Sequence, residues 1–342
     1  MSDDTTELVR SALRTISGGE SLSAENAEAF MSAVLDGQVT AAQLGGVLVG
    51  MRARGETTGE LTGFVRALRS RSIRVEAPAG TIDTCGTGGD GYHTFNISTA
   101  SSLVTAASGV IVAKTGNRAV SGVSGSSDAM RALGLSVEID RDEAETSLRE
   151  DGYAYLHAPA FHPGMRHVGP VRMELGVRTA FNFIGPIANV AQPTRQLMGV
   201  PDEDVARKAA ETLHALGSER AFVVTGDRID ELPLDDSGVI FDVSPAGVER
   251  RTITSAEHGL PLAPTEALAS GDGAANAALI EAIFEGRERG PARDVVALNA
   301  GASLVVAGRA EDVRSGVALA QETIESGAAL DLLKRLRARS PA

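Results

Sequence analysis

The sequence predicts an α/β protein in which a small all-helical domain precedes a larger α/β domain with a mostly parallel central sheet. In residues 1–70, apolar side chains recur at spacings of three and four, the period of amphipathic helices. From about residue 80, short apolar runs alternate with helical stretches, which is typical of parallel strands covered by helices. The length of 342 residues exceeds that of one ordinary domain.

The domain boundaries follow from these changes of pattern. We expect a helical domain over residues 1–72 and an α/β domain over 78–342. Prolines and arginines interrupt the alternation of strands and helices after residue 158. A segment of this kind lines a cleft or returns to another domain, so we expect part of 162–190 to complete the helical domain.

Capping residues divide the N-terminal region into separate helices. Ser23 precedes a helical apolar pattern as an N-cap, and Thr40 with Gln43 and Thr57 with Glu60 have the spacing of capping boxes. These local signals predict where three consecutive helices begin.

Strand-like runs alternate with helical patterns in the second region. The apolar runs are Val110–Ala113, Ala221–Val224 and Val295–Leu298, and the helical stretches include Ser126–Leu133 and Asp204–Leu216. Ligands of parallel sheets bind at the carboxyl ends of the strands, so loops that follow these runs are expected to meet at one edge.

Composition excludes several classes of protein. Apolar residues make up 43% and the formal net charge is −13, which argues against general nucleic-acid binding and leaves room only for a local basic site. No stretch reaches the roughly 18–20 apolar residues of a membrane span. The acidic start lacks the features of a signal peptide, and the single cysteine, Cys85, fits a reducing compartment. We therefore expect a cytoplasmic protein with neither a membrane nor a nucleic-acid partner.

A glycine-rich turn is the strongest functional signal. Gly86, Gly88, Gly89 and Gly91 leave backbone amides open to a ligand, and Asn96-Ile-Ser-Thr follows as a polar helix start. Asp90 would repel a bare phosphate, so the ligand must also offer hydroxyls or a metal. A turn of this type can also do no more than join a strand to a helix, but its polar continuation favours binding of a phosphorylated sugar.

Two further motifs add charge to this predicted site. Lys114-Thr-Gly-Asn-Arg118 follows an apolar run, so we expect the lysine to emerge at the sheet edge and meet a diphosphate, with Ser126 nearby as a donor. Asp230 and Glu231 follow another apolar run and suit a Mg²⁺ ion that keeps several waters. Arg172 or Arg178 could hold a carboxylate of a second substrate, since the donors of an arginine match both oxygens. Surface solvation would explain each motif taken alone.

In combination and in this order the motifs resemble the anthranilate phosphoribosyltransferase family over nearly the whole chain. They are Gly86-Thr-Gly-Gly-Asp-Gly, Thr94-Phe-Asn-Ile-Ser-Thr99, Lys114-Thr-Gly-Asn-Arg118, His162-Pro-Gly-Met-Arg, Pro170-Val-Arg-Met-Glu-Leu-Gly-Val-Arg178 and Asp230-Glu231. The resemblance implies a helical domain joined to an α/β domain, a homodimer, and transfer of phosphoribose from phosphoribosyl pyrophosphate to the aromatic amino acid anthranilate in tryptophan biosynthesis.

The resemblance also implies roles for individual residues. Positions that hold the sugar diphosphate are matched by Gly86, Gly88, Gly89, Asp90, Asn96, Ser98, Thr99 and Lys114, and Thr94 and Ser126 are further substrate-binding candidates. Mg²⁺ is expected at Ser98, Asp230 and Glu231, and the aromatic acid at Asn117 and Arg172. No catalytic acid or base is expected, because the aryl amine of such an acceptor is already neutral; Lys114 and Arg172 are expected to act by positioning and charge stabilisation.

One position departs from the family. The family usually carries Lys-His-Gly-Asn-Arg, and here the second residue is Thr115. The family's histidine lies in the path of the aromatic substrate, so another aromatic acid stays open as the acceptor. A pyrimidine nucleoside phosphorylase has a Lys-His-Ser-type loop that this chain lacks. A non-catalytic, nucleic-acid-binding homologue would be expected to lose the carboxylates and gain basic charge.

Overall fold

Four helices form the N-terminal part of the structure, a computed structural model that describes residues 3–88, 94–117, 124–227 and 229–340. They are α1 (Asp3–Ser17), α2 (Ala24–Leu35), α3 (Ala41–Arg54) and α4 (Thr58–Ser70). Both predicted capping boxes, at Thr40 and at Thr57, are present, and Ser23 accepts a hydrogen bond from the Asn26 amide. The sequence therefore located these helix starts correctly.

A seven-stranded sheet forms the centre of the second part, in the order β3-β2-β1-β4-β5-β6-β7. The strands are β1 (Ile82–Gly86), β2 (Val112–Gly116), β3 (Tyr153–His157), β4 (Arg195–Gly199), β5 (Arg220–Thr225), β6 (Gly238–Ser244) and β7 (Gly247–Ile253). The first five are parallel, and β6 and β7 continue the sheet as antiparallel strands. The predicted fold class, a helical part plus an α/β part with a mostly parallel sheet, is confirmed.

Helices connect and cover these strands. They are α5 (Ile97–Ala107), α6 (Ser126–Ala132), α7 (Arg141–Glu150), α8 (Ala158–Phe161), α9 (Gly169–Leu175), α10 (Ile184–Ile187), α11 (Glu203–Ala215), α12 (Gly273–Phe284), α13 (Pro291–Val306), α14 (Val313–Glu325) and α15 (Ala328–Arg339). The strand-like interpretation of Val295–Leu298 is wrong, because this run lies inside α13. That helix is buried on nearly all sides, so its apolar run lacks the helical period.

The two faces of the sheet belong to different cores. One core joins α5, α13 and α14 to residues of β1 and β2. The other joins the N-terminal helices and α11 to strand residues such as Cys85, Met198 and Val223. Both faces of the parallel strands are therefore buried, as the sequence pattern indicated.

The segment between β3 and β4 returns to the helical part. Leu175 of α9 lies against Gly45 of α3, and Arg69 of α4 donates to the carbonyl of Ile187 at 2.7 Å. A further contact with the helical part comes from α11, which follows β4: Lys208 forms an ion pair of 3.1 Å with the buried Glu56. The domain limits themselves, 1–72 and 78–342 with part of 162–190, stay a prediction.

The order of the strands creates a switch point beside β1. The chain builds β1, β2 and β3 in one direction, then crosses to the other side of β1 to form β4. Strands β1 and β4 pair along five residues, whereas β1 and β2 pair only at Ile82 with Val112. The carboxyl ends of β1, β2 and β4 thus surround the point where such sheets bind ligands.

Two surface properties complete the description of the fold. Strand β7 forms one edge of the sheet, and its residues Glu249 to Thr252 are exposed. In the part of the chain that the structure describes, no helix has both the length and the apolar character needed to cross a bilayer.

Candidate functional site

Three strands end on glycine at the switch point, and each glycine allows a close approach. A Cβ atom at Gly86 would overlap the carboxylate of Asp230, and one at Gly199 would overlap the main-chain carbonyl of the same aspartate. At Gly116 it would overlap the hydroxyl of Ser126. These glycines let two loops fold over the strand ends, which brings polar groups to the carboxyl edge of the sheet.

The predicted carboxylate pair lies at this edge and contacts the phosphate-loop elements. Asp230 Oδ2 accepts a hydrogen bond of 2.7 Å from the amide of Gly88, and Glu231 Oε1 accepts one of 3.0 Å from the amide of Ser98. Both acidic residues are buried. The structure therefore joins the loop after β5 to the loop after β1 and to the first turn of α5.

Lys114 lies inside β2, where it is only 1% exposed, rather than after the strand. Its Nζ donates to the carbonyl of Thr84 at 2.8 Å and to Ser98 Oγ at 3.3 Å. Burial lowers the pKa of Lys114, against neighbouring acidic groups that raise it. The prediction that the lysine emerges at the rim is wrong in this respect, because its side chain runs along the strand end toward β1 and α5.

The second predicted loop is anchored by its serine. Ser126 Oγ donates to the carbonyl of Asn117 at 3.2 Å, and it lies 3.0 Å from the hydroxyl of Tyr155 on β3. The amide of Ser127 also donates to the Asn117 carbonyl. Asn117 and Ser126 are thus brought together where β2 ends and α6 begins.

The polar segment before α5 is held by residues far away in the sequence. Thr94 forms a bridge to Ala269, and the amide of Asn96 donates to Asn276 Oδ1 of α12 at 2.7 Å. Ser124 donates to Asn96 Oδ1 at 3.3 Å, which links this segment to the loop before α6. Asn96 is therefore tied both to the helical layer and to the second loop.

Two candidates have surroundings that differ from the rest. Thr99 is fully buried in α5, and its hydroxyl has no hydrogen-bond partner among the residues that the structure describes. Arg172 lies on α9, with its guanidinium 5.6 Å from the centre of the Phe181 ring. Burial lowers the pKa of Arg172. Phe181 packs in turn on Phe64 of α4, so Arg172 lies beside the helical part.

Some predicted residues lie outside the described ranges. They are Gly89 and Asp90 of the glycine turn, with Gly91, and Arg118 of the second motif. For the remaining candidates the structure brings together Gly86, Gly88, Ser98, Lys114, Asp230 and Glu231 through direct contacts or close approaches.

Sequence reasoning assigned no role to two buried asparagines that fix the site loops. Asn276 of α12 holds the amide of Asn96, and Asn299 of α13 bonds both main-chain groups of Leu232, at 2.9 and 3.0 Å. Leu232 directly follows Glu231, so Asn299 fixes the carboxylate loop. In the sequence, each of these asparagines stands within an apolar helical stretch. A buried amide must satisfy its hydrogen bonds inside the core, so this pattern could have indicated a structural role.

The residues at the edge suit a hard divalent cation. Two carboxylates and the Ser98 hydroxyl supply oxygen atoms, the ligands that such an ion prefers. Gly86 makes room for the Asp230 carboxylate, because a Cβ atom at this position would occupy the same space. The described ranges contain no group of three or more His, Cys, Asp or Glu side chains able to enclose a metal. The set therefore fits an ion that completes its shell with water and substrate oxygens.

The fold and the site define a glycosyl transferase of two parts. The profile described as the helical bundle domain of the glycosyl transferase family matches residues 10–72, and the profile of its a/b domain matches residues 79–330. The anthranilate phosphoribosyltransferase of Chloroflexus aurantiacus is 42% identical over 334 residues, covering 97% of this chain and 98% of that protein. The chain belongs to the anthranilate phosphoribosyltransferase family.

Other relatives agree in sequence and in structure. The anthranilate phosphoribosyltransferase of Rhodopseudomonas palustris is also 42% identical and covers 97% of this chain and 98% of its own length. The crystal structure of the Thermus thermophilus enzyme superposes with a TM-score of 0.90 at 41% identity, covering 96% of this chain and 98% of its own. The Saccharomyces cerevisiae enzyme, solved with PRPP and Mg, shares the fold at 23% identity, with a TM-score of 0.86 and 98% and 97% coverage.

Proposed function

We propose that this protein transfers the phosphoribosyl group of 5-phosphoribosyl 1-pyrophosphate to the amine of anthranilate, a step of tryptophan biosynthesis. The products are N-(5-phosphoribosyl)anthranilate and pyrophosphate. One observation carries the proposal: the cluster of Lys114, Ser98 and the Asp230–Glu231 pair at the carboxyl ends of the central strands. This cluster supplies one cation, the start of a helix and oxygen ligands for a divalent ion, all of which stabilise the charge of a leaving diphosphate.

The reaction needs positioning more than acid–base catalysis. The aryl amine nitrogen is neutral at physiological pH, so its lone pair attacks carbon 1 of the ribose without a strong base. The bond from carbon 1 to the diphosphate oxygen breaks with inversion, and the nitrogen releases its proton to water. Holding the two substrates in line and stabilising the departing charge accounts for the rate.

The diphosphate is placed by Lys114 and by the start of α5. The ammonium lies 3.3 Å from Ser98 Oγ, beside the first turn of a helix of 11 residues, whose positive end favours anions. Gly88 leaves open space where a Cβ atom would lie, and Gly89 and Asp90, outside the described ranges, are proposed to continue this approach to the diphosphate.

The metal site is proposed at Ser98, Asp230 and Glu231. A Mg²⁺ ion bound there would neutralise the negative charge that develops on the pyrophosphate. The amides of Gly88 and Ser98 orient the two carboxylates through the bonds of 2.7 and 3.0 Å. The protein thus holds its own oxygen ligands in position before any ion arrives.

The acceptor is proposed to bind between Arg172 and the end of β2. Arg172 offers a paired donor to the anthranilate carboxylate, and the Phe181 ring under its guanidinium limits its rotation. Asn117, which directly follows β2, is proposed as a second residue that binds the acceptor. Thr115 is 8% exposed inside β2 and takes the position of the family's usual histidine. A second aromatic acid as acceptor stays the alternative for this reason.

A homodimer is proposed through the helical part. Val49 of α3 is 43% exposed, Met173 of α9 is 79% exposed, and Val177, two residues after α9, is 54% exposed. Helices α3 and α9 pack on each other through Gly45 and Leu175, so these apolar side chains belong to neighbouring surfaces. A second copy would cover this patch, which sedimentation of the purified protein tests directly.

One assay tests the proposed activity. Pyrophosphate release is measured with phosphoribosyl pyrophosphate, Mg²⁺ and either anthranilate or one of a panel of related aromatic acids. The highest kcat/KM is expected with anthranilate. Preference for another acid would move the specificity to that acceptor, and no release with any acid would overturn the transferase assignment.

A further inference from the structure

Strands β1 and β2 separate after a single pair of residues. The amide of Ile82 donates to the carbonyl of Ile111 at 2.9 Å, and Ile82 pairs with Val112. Hydrogen bonds of a parallel pair are evenly spaced, so a continued ladder would next join Thr84 to Ala113 and Thr115. The structure has no such pairs between the described strands, although β2 and β3 pair over five residues.

Side chains take the place of the missing ladder. Asp83 Oδ1 accepts the hydrogen bond of the Thr115 amide at 3.0 Å. Asn189 Nδ2 donates to the carbonyl of Ala113 at 2.8 Å, and Lys114 Nζ donates to the carbonyl of Thr84 at 2.8 Å. Each of these three main-chain groups is therefore satisfied, and the two strand ends are held apart.

Gln196 of β4 fixes Asp83 from the opposite side. Its Nε2 donates to Asp83 Oδ2 at 3.0 Å and to the carbonyl of Pro186 at 3.1 Å. Asp83 is fully buried, and burial raises its pKa to about 6 against the hydrogen bonds and the charge of Lys114 that favour the carboxylate. A buried carboxylate is expensive, so a strand that only filled space would use an apolar side chain here.

Resting on the proposed function, we propose that Asp83 is a positioning residue for phosphoribosyl transfer. Through Thr115 it sets the distance of the β2 end from β1, and so places the adjacent Lys114 between the Thr84 carbonyl and Ser98. Asp83 itself touches neither Ser98 nor the carboxylate pair. Its effect reaches the diphosphate through Lys114 and the acceptor side through the backbone at Thr115.

The substitution Asp83→Asn isolates this role with almost no change of size. The asparagine carbonyl can still accept from Thr115, but its NH₂ group then meets the NH₂ group of Gln196, a donor facing a donor. Rotating the Gln196 amide would only move the conflict to the Pro186 carbonyl. The end of β2 must shift to relieve it, and a displacement of this kind near reacting groups costs between about tenfold and a hundredfold in rate.

The experiment compares Asp83→Asn with Asp242→Asn in steady-state assays of pyrophosphate release. Asp242 is a matched control, because it is a buried carboxylate whose pKa burial also raises, and it lies on β6 paired with Phe222. For Asp83→Asn we expect a fall of at least about tenfold in kcat/KM for phosphoribosyl pyrophosphate, larger than the change in the anthranilate KM. For Asp242→Asn we expect both parameters to stay within about twofold of the parent.

Equal kinetics of Asp83→Asn and the parent protein would overturn the positioning role. So would parallel losses in both variants, because these would indicate general damage to the fold. If Asp83→Asn does not fold, Gln196→Met replaces it, since it removes the same hydrogen bond and keeps the charge. A folded Gln196→Met protein with parental kcat/KM would equally overturn the inference. An inactive parent protein would instead contradict the proposed function, so the two failures are distinguishable.

Discussion

Gly199 ends β4 directly against the main-chain carbonyl of Asp230, with no room for a Cβ atom between them. The glycine is thus required by the loop that carries the carboxylates, not by a turn of its own chain. Its pairing partner across the strands is Gly86, which lies against the side chain of the same aspartate. The ends of the neighbouring strands β1 and β4 therefore both pack against the loop that carries the carboxylates.

Replacing Gly199 by alanine should displace this loop. The added methyl overlaps backbone, which cannot rotate away, so Asp230 and Glu231 must move relative to Ser98. We expect kcat/KM for phosphoribosyl pyrophosphate to fall by more than about tenfold. Gly185→Ala is the matched control, because a Cβ atom there meets no other atom within 4 Å. Parental activity in Gly199→Ala would show that the loop tolerates the shift.

The carboxylate pair should determine the response to magnesium. In Asp230→Asn with Glu231→Gln, the oxygen ligands keep their shape and lose their charge, which weakens binding of a divalent ion. We expect the Mg²⁺ concentration for half-maximal activity to rise at least about tenfold. Titration of activity against Mg²⁺ measures it, with the exposed Glu249→Gln as control. An unchanged Mg²⁺ response would remove these residues from the metal site.

Arg172 should discriminate between the two substrates. Arg172→Ala removes the paired donors for the acceptor carboxylate, whereas the diphosphate cluster around Lys114 is untouched. We expect the KM for anthranilate to rise by about tenfold or more and the KM for phosphoribosyl pyrophosphate to change little. Phe181→Leu should shift the same KM in the same direction by less, because it removes only the ring under the guanidinium. Equal effects on both substrates would place Arg172 elsewhere.

The pH dependence of stability should report Asp83. Its pKa is raised from about 3.9 in an unfolded chain to about 6 by burial, so the folded state binds the proton more tightly. The stability that this group contributes is present below about pH 3.9 and is lost as pH rises through about 6. Cys85 and Tyr153, whose pKa values burial raises, keep their protons in this range, and Lys114 is the neighbouring cation.

Asp83→Asn removes this titration, so its Tm relative to the parent protein should increase as pH rises from about 5 to about 7. Scanning calorimetry at both pH values measures the difference. Gln196→Met retains the titrating carboxyl and should keep the pH trend of the parent. A Tm difference that is constant with pH would mean that Asp83 does not titrate in this range.

Local signals in the sequence were sufficient for the parts of the fold that short segments determine. The capping boxes at Thr40 and Thr57 satisfy amides within their own first turn, so two residues three positions apart specify each helix start. The glycine turn and the acidic pair were recognisable for a similar reason. Their residue types are explained by the ligand that they can bind, so no knowledge of distant parts of the chain was needed. Their family resemblance supplied the individual roles.

Long-range packing determined what the sequence did not show. The direction of the Lys114 side chain depends on the separation of β1 from β2 after one residue pair. No short segment of the sequence determines this separation. Asn276 and Asn299 serve loops that lie 180 and 67 residues away, and only the folded core brings them together. The apolar run of α13 has no strand period or helix period of its own, since the helix is buried all round.

The charged edge of the sheet has a consequence for assembly. Along β7, Arg250 is paired with Glu203 and Arg251 with Glu249, all in contact with water. A foreign strand that added to this edge would have to strip water from these charges and break their pairs. The sheet thus ends at β7 in a strand whose charged side chains are exposed to solvent. This edge disfavours the strand-to-strand association of separate molecules that leads to fibres.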